Sequence, residues 1–201
     1  MKFFMVCLML FMITIPAVAQ EETLVAGDLE SGGFGGPVIK LGSFNGETGI
    51  LVGGRGGWII NHTFIIGFGG YGLTNRVLAN STGPLGERYM NLGYGGLELE
   101  YIPESNKLVH YSFMLLLGAG GISFRNNDWE DWHWPDDNSH YKPDAFFIAE
   151  PQVNATLNIT TWFRMSGGLS YRFVEGLESN ISTSKNLSGI SGGLTFRFGK
   201  F

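Results

Sequence analysis

The segment AFFIAEPQVNATLNI, residues 145–159, has the pattern that decides the fold. Apolar side chains occupy every second position, namely Phe147, Ala149, Val153, Ala155, Leu157 and Ile159. Polar side chains share the other face, namely Glu150, Gln152, Asn154, Thr156 and Asn158. Successive side chains of a strand point to opposite faces of its sheet, so this period of two predicts a two-faced β-strand.

The same alternation recurs along the chain. In residues 162–175, Phe163, Met165, Leu169, Tyr171 and Phe173 oppose a face of Arg, Ser and Gly. The whole chain gives eight candidate strands, at residues 34–43, 48–60, 63–75, 88–102, 108–124, 145–159, 162–175 and 188–198. Pro37 and Pro151 are discordant, because a strand proline removes a ladder donor and fits best at an edge, a strand start or a bulge. An even number of antiparallel strands closes a sheet without an exposed edge.

The connections between the segments alternate in length. Short ones stand at residues 61–62, 103–107 and 160–161, and longer ones at 76–87, 125–144 and 176–187. The first connection on the long side is the short Asn45-Gly46, which is a strong hairpin turn. Short periplasmic turns and long external loops are expected of a bacterial outer-membrane barrel whose two termini are periplasmic.

The alternation alone does not say which face is inside. The polar face is mostly Ser, Asn, Gln, Thr and Gly, with few of the Lys and Glu that solubilise a surface. Aromatic residues also gather near the segment ends, with Trp58, Phe64, Tyr101, Tyr111, Phe163 and Phe196 towards one rim and Tyr71, Tyr89, Phe124, Phe147 and Phe173 towards the other. Two aromatic girdles around an apolar band indicate lipid outside. The sequence therefore predicts an all-β, eight-stranded antiparallel up-and-down transmembrane β-barrel, with a soluble periplasmic barrel of reversed faces as the alternative.

The first residues have the pattern of a secretory signal peptide. Lys2 precedes the apolar run from Phe3 to Ile13, and Ala17-Val18-Ala19 is a small-residue cleavage signature. We therefore expect a signal peptide at residues 1–19 and a barrel domain at 20–201. Cys7, the one cysteine, falls within the signal peptide, so the exported domain is expected to have no disulfide and no cysteine metal site.

The composition agrees with a barrel. Charged residues make up 15% of the chain, well below the ~25% of an ordinary soluble domain. The formal net charge is −5 and no basic stripe is present, which argues against a nucleic-acid partner.

The closing segment GGLTFRFGKF, residues 192–201, together with the signal peptide and the eight segments, resembles the small outer-membrane β-barrel proteins of Gram-negative bacteria, of outer-membrane protein A and W type. The resemblance implies an outer-membrane location, contact with outer-membrane lipid and lipopolysaccharide, and delivery by the barrel-assembly machinery. Phe196, Phe198 and Phe201 are similar to the family's assembly signal. Gly199 departs from it, and Phe201 is out of phase with the other two, which implies a bulge or a frayed end.

The predicted lumen receives a set of charged and ionisable side chains, namely Lys40, Arg55, Glu98, Glu100, His110, Glu150, Arg164, Arg172 and Arg197. The interior of an eight-stranded barrel is just wide enough to be filled by side chains. We expect these groups to pair across the lumen, because an unpaired buried charge is costly. A structural polar plug is the first interpretation, and a narrow channel for small solutes through Arg55 and Glu98 is the alternative.

The connection at residues 125–144 is rich in tryptophan and acid. Exposed Trp129, Trp132 and Trp134 predict a contact surface for an extracellular ligand, such as lipopolysaccharide, a glycan or a partner protein. Oxygen and imidazole groups in the same loop are the metal-site alternative, namely Asp128, Glu130, Asp131, His133, Asp136, Asp137 and His140. Their spacing matches no defined metal loop, so we expect no metal and no cofactor.

His110 and Ser112 share one face of a predicted strand. Lipid A deacylases of the outer membrane carry a similar His-x-Ser pair, which makes a lipid-modifying enzyme the third hypothesis. The pair follows a predicted periplasmic turn and points inward, away from an outer-leaflet substrate. Strand alternation also makes such pairs common by chance. We therefore expect a non-enzymatic barrel with a structural role or a binding role through its loops.

Overall fold

A computed structural model of the protein describes residues 29–79, 88–126, 144–177 and 183–201. Eight long strands form in these ranges: β1 Ser31–Phe44, β2 Glu47–Ile60, β3 Phe64–Leu73, β5 Arg88–Tyr101, β6 Val109–Asn126, β7 Asp144–Asn158, β8 Phe163–Glu175 and β9 Gly189–Lys200. A two-residue strand, β4 (Leu78–Ala79), and a single-turn helix, α1 (Ser184–Leu187), complete the described elements. No helix in these ranges is long and apolar enough to cross a membrane.

The long strands close into one barrel. Each pairs antiparallel with the next long strand along the chain, and β1 pairs with β9 to complete the ring. β3 pairs directly with β5, and β4 adds two further pairs to β5 beyond the end of β3. The predicted eight-stranded antiparallel up-and-down barrel is thus confirmed. β1 begins earlier than the alternation indicates, at Ser31, because Gly32 and Gly33 have no side chains to show a period.

The barrel has two different ends. The short-turn end carries residues 61–63, 102–108 and 159–162 between strands, and the first and last described strands also begin and end there. At that end Asn61 and His62 have φ values of 49° and 55°, the left-handed pair that a two-residue hairpin turn requires. At the long-loop end lie residues 45–46, 74–79, 176–177 and 183–188, and β5 begins, β6 ends and β7 begins there.

Both discordant prolines lie inside long strands. Pro37 is opposite Gly54 of β2, but the β1–β9 ladder is interrupted between Gly35 and Val38. Pro151 is opposite Leu115 of β6, and the β7–β8 ladder is likewise interrupted next to it. A proline has no N–H to donate, so each strand keeps its ladder on one side and loses it locally on the other. The register is the same before and after each gap.

The outer face of the barrel is apolar. Phe68, Phe147 and Leu169 are 70%, 72% and 68% exposed, although each lies within a long strand. At the short-turn end the exposed aromatic side chains include Trp58, Phe64, Tyr101, Tyr111, Trp162 and Phe198. The face assignment of the sequence pattern is therefore confirmed: the apolar side chains point outward and most of the polar ones point inward.

Two aromatic residues predicted for the outer girdle lie elsewhere. Tyr71 is buried in the lumen, and Phe124 packs against the buried apolar cluster at the long-loop end. The prediction for Tyr71 was wrong because β3 contains Gly67, Gly69, Gly70 and Gly72, which leave few side chains from which to fix its phase.

The charged lumen as the candidate functional site

The structure places the nine predicted lumen residues on the inner face of the barrel. Eight of them are buried, namely Lys40, Arg55, Glu98, Glu100, His110, Glu150, Arg172 and Arg197. The ninth, Arg164, is partly exposed at the short-turn end.

A first charge cluster is built on Glu98 and Glu100 of β5. Arg55 Nε lies 2.7 Å from Glu98 Oε2, and Arg55 Nη2 donates to Glu100 Oε2 over 3.0 Å. Arg197 Nη2 donates to Glu100 Oε1 over 2.8 Å, and the Ser112 hydroxyl donates to the same oxygen. Two carboxylates therefore face two guanidinium groups, the arrangement in which buried charges and their hydrogen bonds compensate each other.

A second charge cluster is centred on Glu150 of β7. Its carboxylate accepts hydrogen bonds from Lys40 Nζ at 3.1 Å, Ser170 at 2.5 Å and Tyr94 at 2.9 Å. Tyr71 joins this cluster to the first one. Its ring lies 4.0 Å below Lys40 Nζ, while its hydroxyl donates to Glu98 Oε1 over 2.5 Å. Tyr71 and Tyr94 were missed by the sequence analysis, which identified the lumen by its charges.

Arg172 is bound by neutral acceptors. Its Nε donates to the backbone carbonyl of Leu187 over 2.7 Å, Nη1 to the Ser191 hydroxyl over 2.9 Å and Nη2 to the Ser43 carbonyl over 3.0 Å. The guanidinium also lies 4.0 Å from the ring centre of Phe44. Arg172 thereby fastens the last residue of α1 to the end of β1 at the long-loop end.

Apolar side chains pack inside the lumen on both sides of the charged layer. At the long-loop end a large buried cluster includes Phe44, Leu51, Val77, Met90, Ile122, Phe146 and Leu187. At the short-turn end Phe34, Ile59, Ile65 and Ile102 form a smaller cluster, with Phe201 packed against it. Apolar clusters thus flank the charged layer, with Arg172 beside one of them and Arg164 beside the other. Period-two alternation did not reveal these clusters because Phe146 and Ile148 share the polar phase of β7.

His110 and Ser112 both point into the lumen but do not bond to each other. His110 Nδ1 lies 3.2 Å from the Lys107 carbonyl, while Ser112 donates to Glu100 and accepts from Asn154. A nucleophile must be within hydrogen-bond reach of its base. The hydroxyl of Ser112 is instead directed at a carboxylate that two arginines already hold.

The three phenylalanines of the closing segment point in two directions. Phe198 is exposed on the outer face beside Trp162, with ring centres 6.2 Å apart, and Phe196 is half-buried. β9 keeps one register up to Lys200, without a bulge, and Phe201 then turns inward to stack on Phe34 at 6.3 Å.

The predicted contact surface of Trp129, Trp132 and Trp134 lies outside the described residues. The same holds for the metal-ligand alternative, Asp128, Glu130, Asp131, His133, Asp136, Asp137 and His140. Elsewhere, in the part of the chain that the structure describes, no group of three or more His, Cys, Asp or Glu side chains is placed to hold a metal ion.

Comparison with known proteins supports the fold. No family model and no curated protein sequence matches the chain. Among solved structures, the N-terminal β-barrel domain of Pseudomonas aeruginosa OprF is 14% identical with a TM-score of 0.53, covering 84% of this chain and 96% of that one. Neisserial surface protein A is 13% identical with a TM-score of 0.55, covering 87% of this chain and 100% of that one. The chain shares the fold of small eight-stranded outer-membrane barrels.

Proposed function

We propose that the chain is an exported outer-membrane β-barrel protein of a Gram-negative bacterium, with a structural role or a binding role through its long loops rather than an enzymatic one. Residues 1–19 are removed as a signal peptide and residues 20–201 form the barrel. The observation that carries the proposal is an apolar outer surface around an ion-paired interior.

The outer surface supports a lipid environment. A soluble barrel buries its apolar face, whereas this one turns Phe68, Phe147 and Leu169 outward from the middle and rim of its strands. Closure of the ring pairs the backbone polar groups internally, as a structure that spans lipid requires. Aromatic side chains at the short-turn end, such as Trp58 and Trp162, fit an interfacial girdle.

The two ends of the barrel support an orientation. Short turns face the periplasm and long loops face outward in bacterial barrels. The short-turn end would then be periplasmic, with both termini, and residues 125–144 would be external. Trp129, Trp132 and Trp134 of that connection are the residues we propose for contact with lipopolysaccharide or another extracellular ligand, and Phe196, Phe198 and Phe201 for recognition by the barrel-assembly machinery.

The contacts in the lumen favour a structural polar plug over a channel for small solutes. Arg55 and Arg197 are held by two carboxylates, and apolar clusters lie on both sides of that layer. Conduction would require the Arg55–Glu98 pair to separate and both clusters to open. We therefore expect the reconstituted protein to show no conductance in a planar bilayer. Steady single-channel conductance that is lost in the Arg55→Gln variant would favour the channel instead.

The experiment that tests the location is heat-modifiability on a gel, using protein from purified outer membranes. We expect the unboiled and boiled bands to differ, and protease added to intact cells to cut within residues 125–144 only. Absence from the membrane fraction together with a single band would contradict the proposal. Lipid A should keep its normal structure in cells that overproduce the protein. If overproduction modified lipid A and the Ser112→Ala variant did not, the enzyme hypothesis would be established.

A further inference from the structure

Two arginines lie directly opposite each other on the inner face near the short-turn end. Arg164 of β8 and Arg197 of β9 are cross-strand partners in the β8–β9 ladder. Side chains in this relationship have Cβ atoms about 5 Å apart, and like charges placed so are destabilising. The pair therefore needs negative charge between or beside its guanidinium groups.

The described carboxylate side chains are too few to balance the arginines. In this half of the lumen Arg55, Arg164 and Arg197 face Glu98 and Glu100. Both oxygens of Glu100 are engaged, one by Arg55 and the other by Arg197 and Ser112. Among the described residues Arg164 forms no ion pair within 4 Å, so the three arginine side chains outnumber the two carboxylate side chains by one.

Unused hydrogen-bond donors accompany this excess charge. The Nε atoms of Arg164 and Arg197 are buried and have no hydrogen-bond partner among the described residues. Nε2 of His110, a residue 4% exposed, is also without a partner. Its Nδ1 faces a carbonyl and so carries the proton of the neutral ring, which means that Nε2 donates only when the ring is charged. The two arginines are therefore the main donors.

The surroundings hold the two guanidinium groups in place and leave one of them reachable. Arg197 lies 5.2 Å from the ring centre of Phe34 and Arg164 lies 4.1 Å from that of Phe201, while the two rings stack on each other. Arg164 is partly exposed, so the position is open towards the short-turn end. Fixed guanidinium forks at a half-open position are suited to an oxyanion.

We infer that the short-turn end of the lumen binds a small oxyanion of the phosphate or carboxylate class, held between Arg164 and Arg197. The anion neutralises the opposed pair and accepts from the free Nε donors. This site goes beyond the proposed function and depends only on the barrel fold, so protein folded in a non-ionic detergent tests it even if the proposed location is wrong.

The experiment is a titration of the folded, full-length exported domain with inorganic phosphate, with acetate as a second probe and chloride at matched ionic strength as the reference. The readouts are the thermal midpoint and the ¹⁵N–¹H resonances of the arginine Nε groups. We expect saturable stabilisation and shifts of the Arg164 and Arg197 resonances. If both probes give this response, the site binds both phosphate and carboxylate. If only phosphate does, the site is specific for phosphate.

Two variants make the test specific. Arg164→Gln should weaken binding by about tenfold or more, because one hydrogen bond to a charged group contributes about 1.5–3 kcal/mol. Lys200→Gln removes the same charge from an exposed outward position at the same end and should bind like the original protein. Arg164→Lys keeps the charge and should retain part of the affinity. It provides a second test if the glutamine variant does not fold. No saturable response, or equal weakening by Arg164→Gln and Lys200→Gln, would overturn the inference.

Discussion

Arg197 and Glu100 join opposite walls of the barrel through a 2.8 Å hydrogen bond. Their strands, β9 and β5, are four positions apart in a ring of eight long strands, so the contact crosses the full width of the lumen. The interior is therefore held together by charge pairs as well as by the backbone ladder. Such a pair stabilises the barrel only while both partners are present.

Loss of charge at Glu100 is expected to destabilise the barrel strongly. Glu100→Gln leaves Arg55 and Arg197 with one carboxylate between them, and breaking a buried pair costs about 3–5 kcal/mol. The measurement is the free energy of unfolding in urea with lipid vesicles, followed by gel mobility. Glu104→Gln is the control, because that residue forms an exposed pair with Lys107 and surface pairs contribute about 0–1 kcal/mol. Equal stability of the two variants would contradict a network that depends on Glu100.

Gly69 is expected to be required as a glycine because of the space that Glu98 occupies. A Cβ at Gly69 would collide with the Glu98 carboxylate and the Tyr71 hydroxyl, whereas one at Gly70 meets nothing within 4 Å. Gly69→Ala should therefore cost about 1–3 kcal/mol, the usual range for overpacking, and Gly70→Ala should stay within about 0.5 kcal/mol. The same unfolding assay compares them. A harmless Gly69→Ala would show that Glu98 has another position open to it.

Arg172 is expected to hold the α1 segment against the barrel mouth. Arg172→Met keeps an unbranched apolar side chain beside Phe44 but removes the guanidinium and its three hydrogen bonds to Leu187, Ser191 and Ser43. We expect residues 183–188 to be cut by protease at least about tenfold faster, since bonds to a charged group contribute about 1.5–3 kcal/mol each. Lys185→Gln, an exposed change on α1 itself, is the control. Unchanged cleavage of the Arg172 variant would mean that Leu187 packing alone holds the segment.

The strands were predictable because period two is visible wherever side chains alternate in size and polarity. The nine lumen residues could be assigned to the inner face by the same rule. Their partners could not, because the Lys40–Glu150 pair spans 110 positions of sequence and depends on how the ring closes. The inward position of Tyr71 was not predicted because glycines surround it in the sequence. The acceptors of Arg172 were not predicted because most of them are backbone carbonyls, which no side-chain pattern shows.

Phe198 and Phe201 are expected to have separate roles although both are aromatic residues of the closing segment. Phe198 is exposed beside Trp162 on the outer face, where a membrane or an assembly factor can reach it. Phe201 instead stacks on Phe34 inside the short-turn end, with Arg164 over its ring. Phe201→Ala should therefore lower the free energy of unfolding by about 3 kcal/mol or less, the lower part of the range for a buried aromatic, because the ring is only partly buried. Phe198→Ala should instead lower the amount of barrel that reaches the outer membrane, with little change in the free energy of unfolding of the purified protein.

The measurements are the amount of each variant in outer membranes and its free energy of unfolding after refolding. If both variants assembled poorly and both kept their stability, Phe201 would belong to the assembly signal as well.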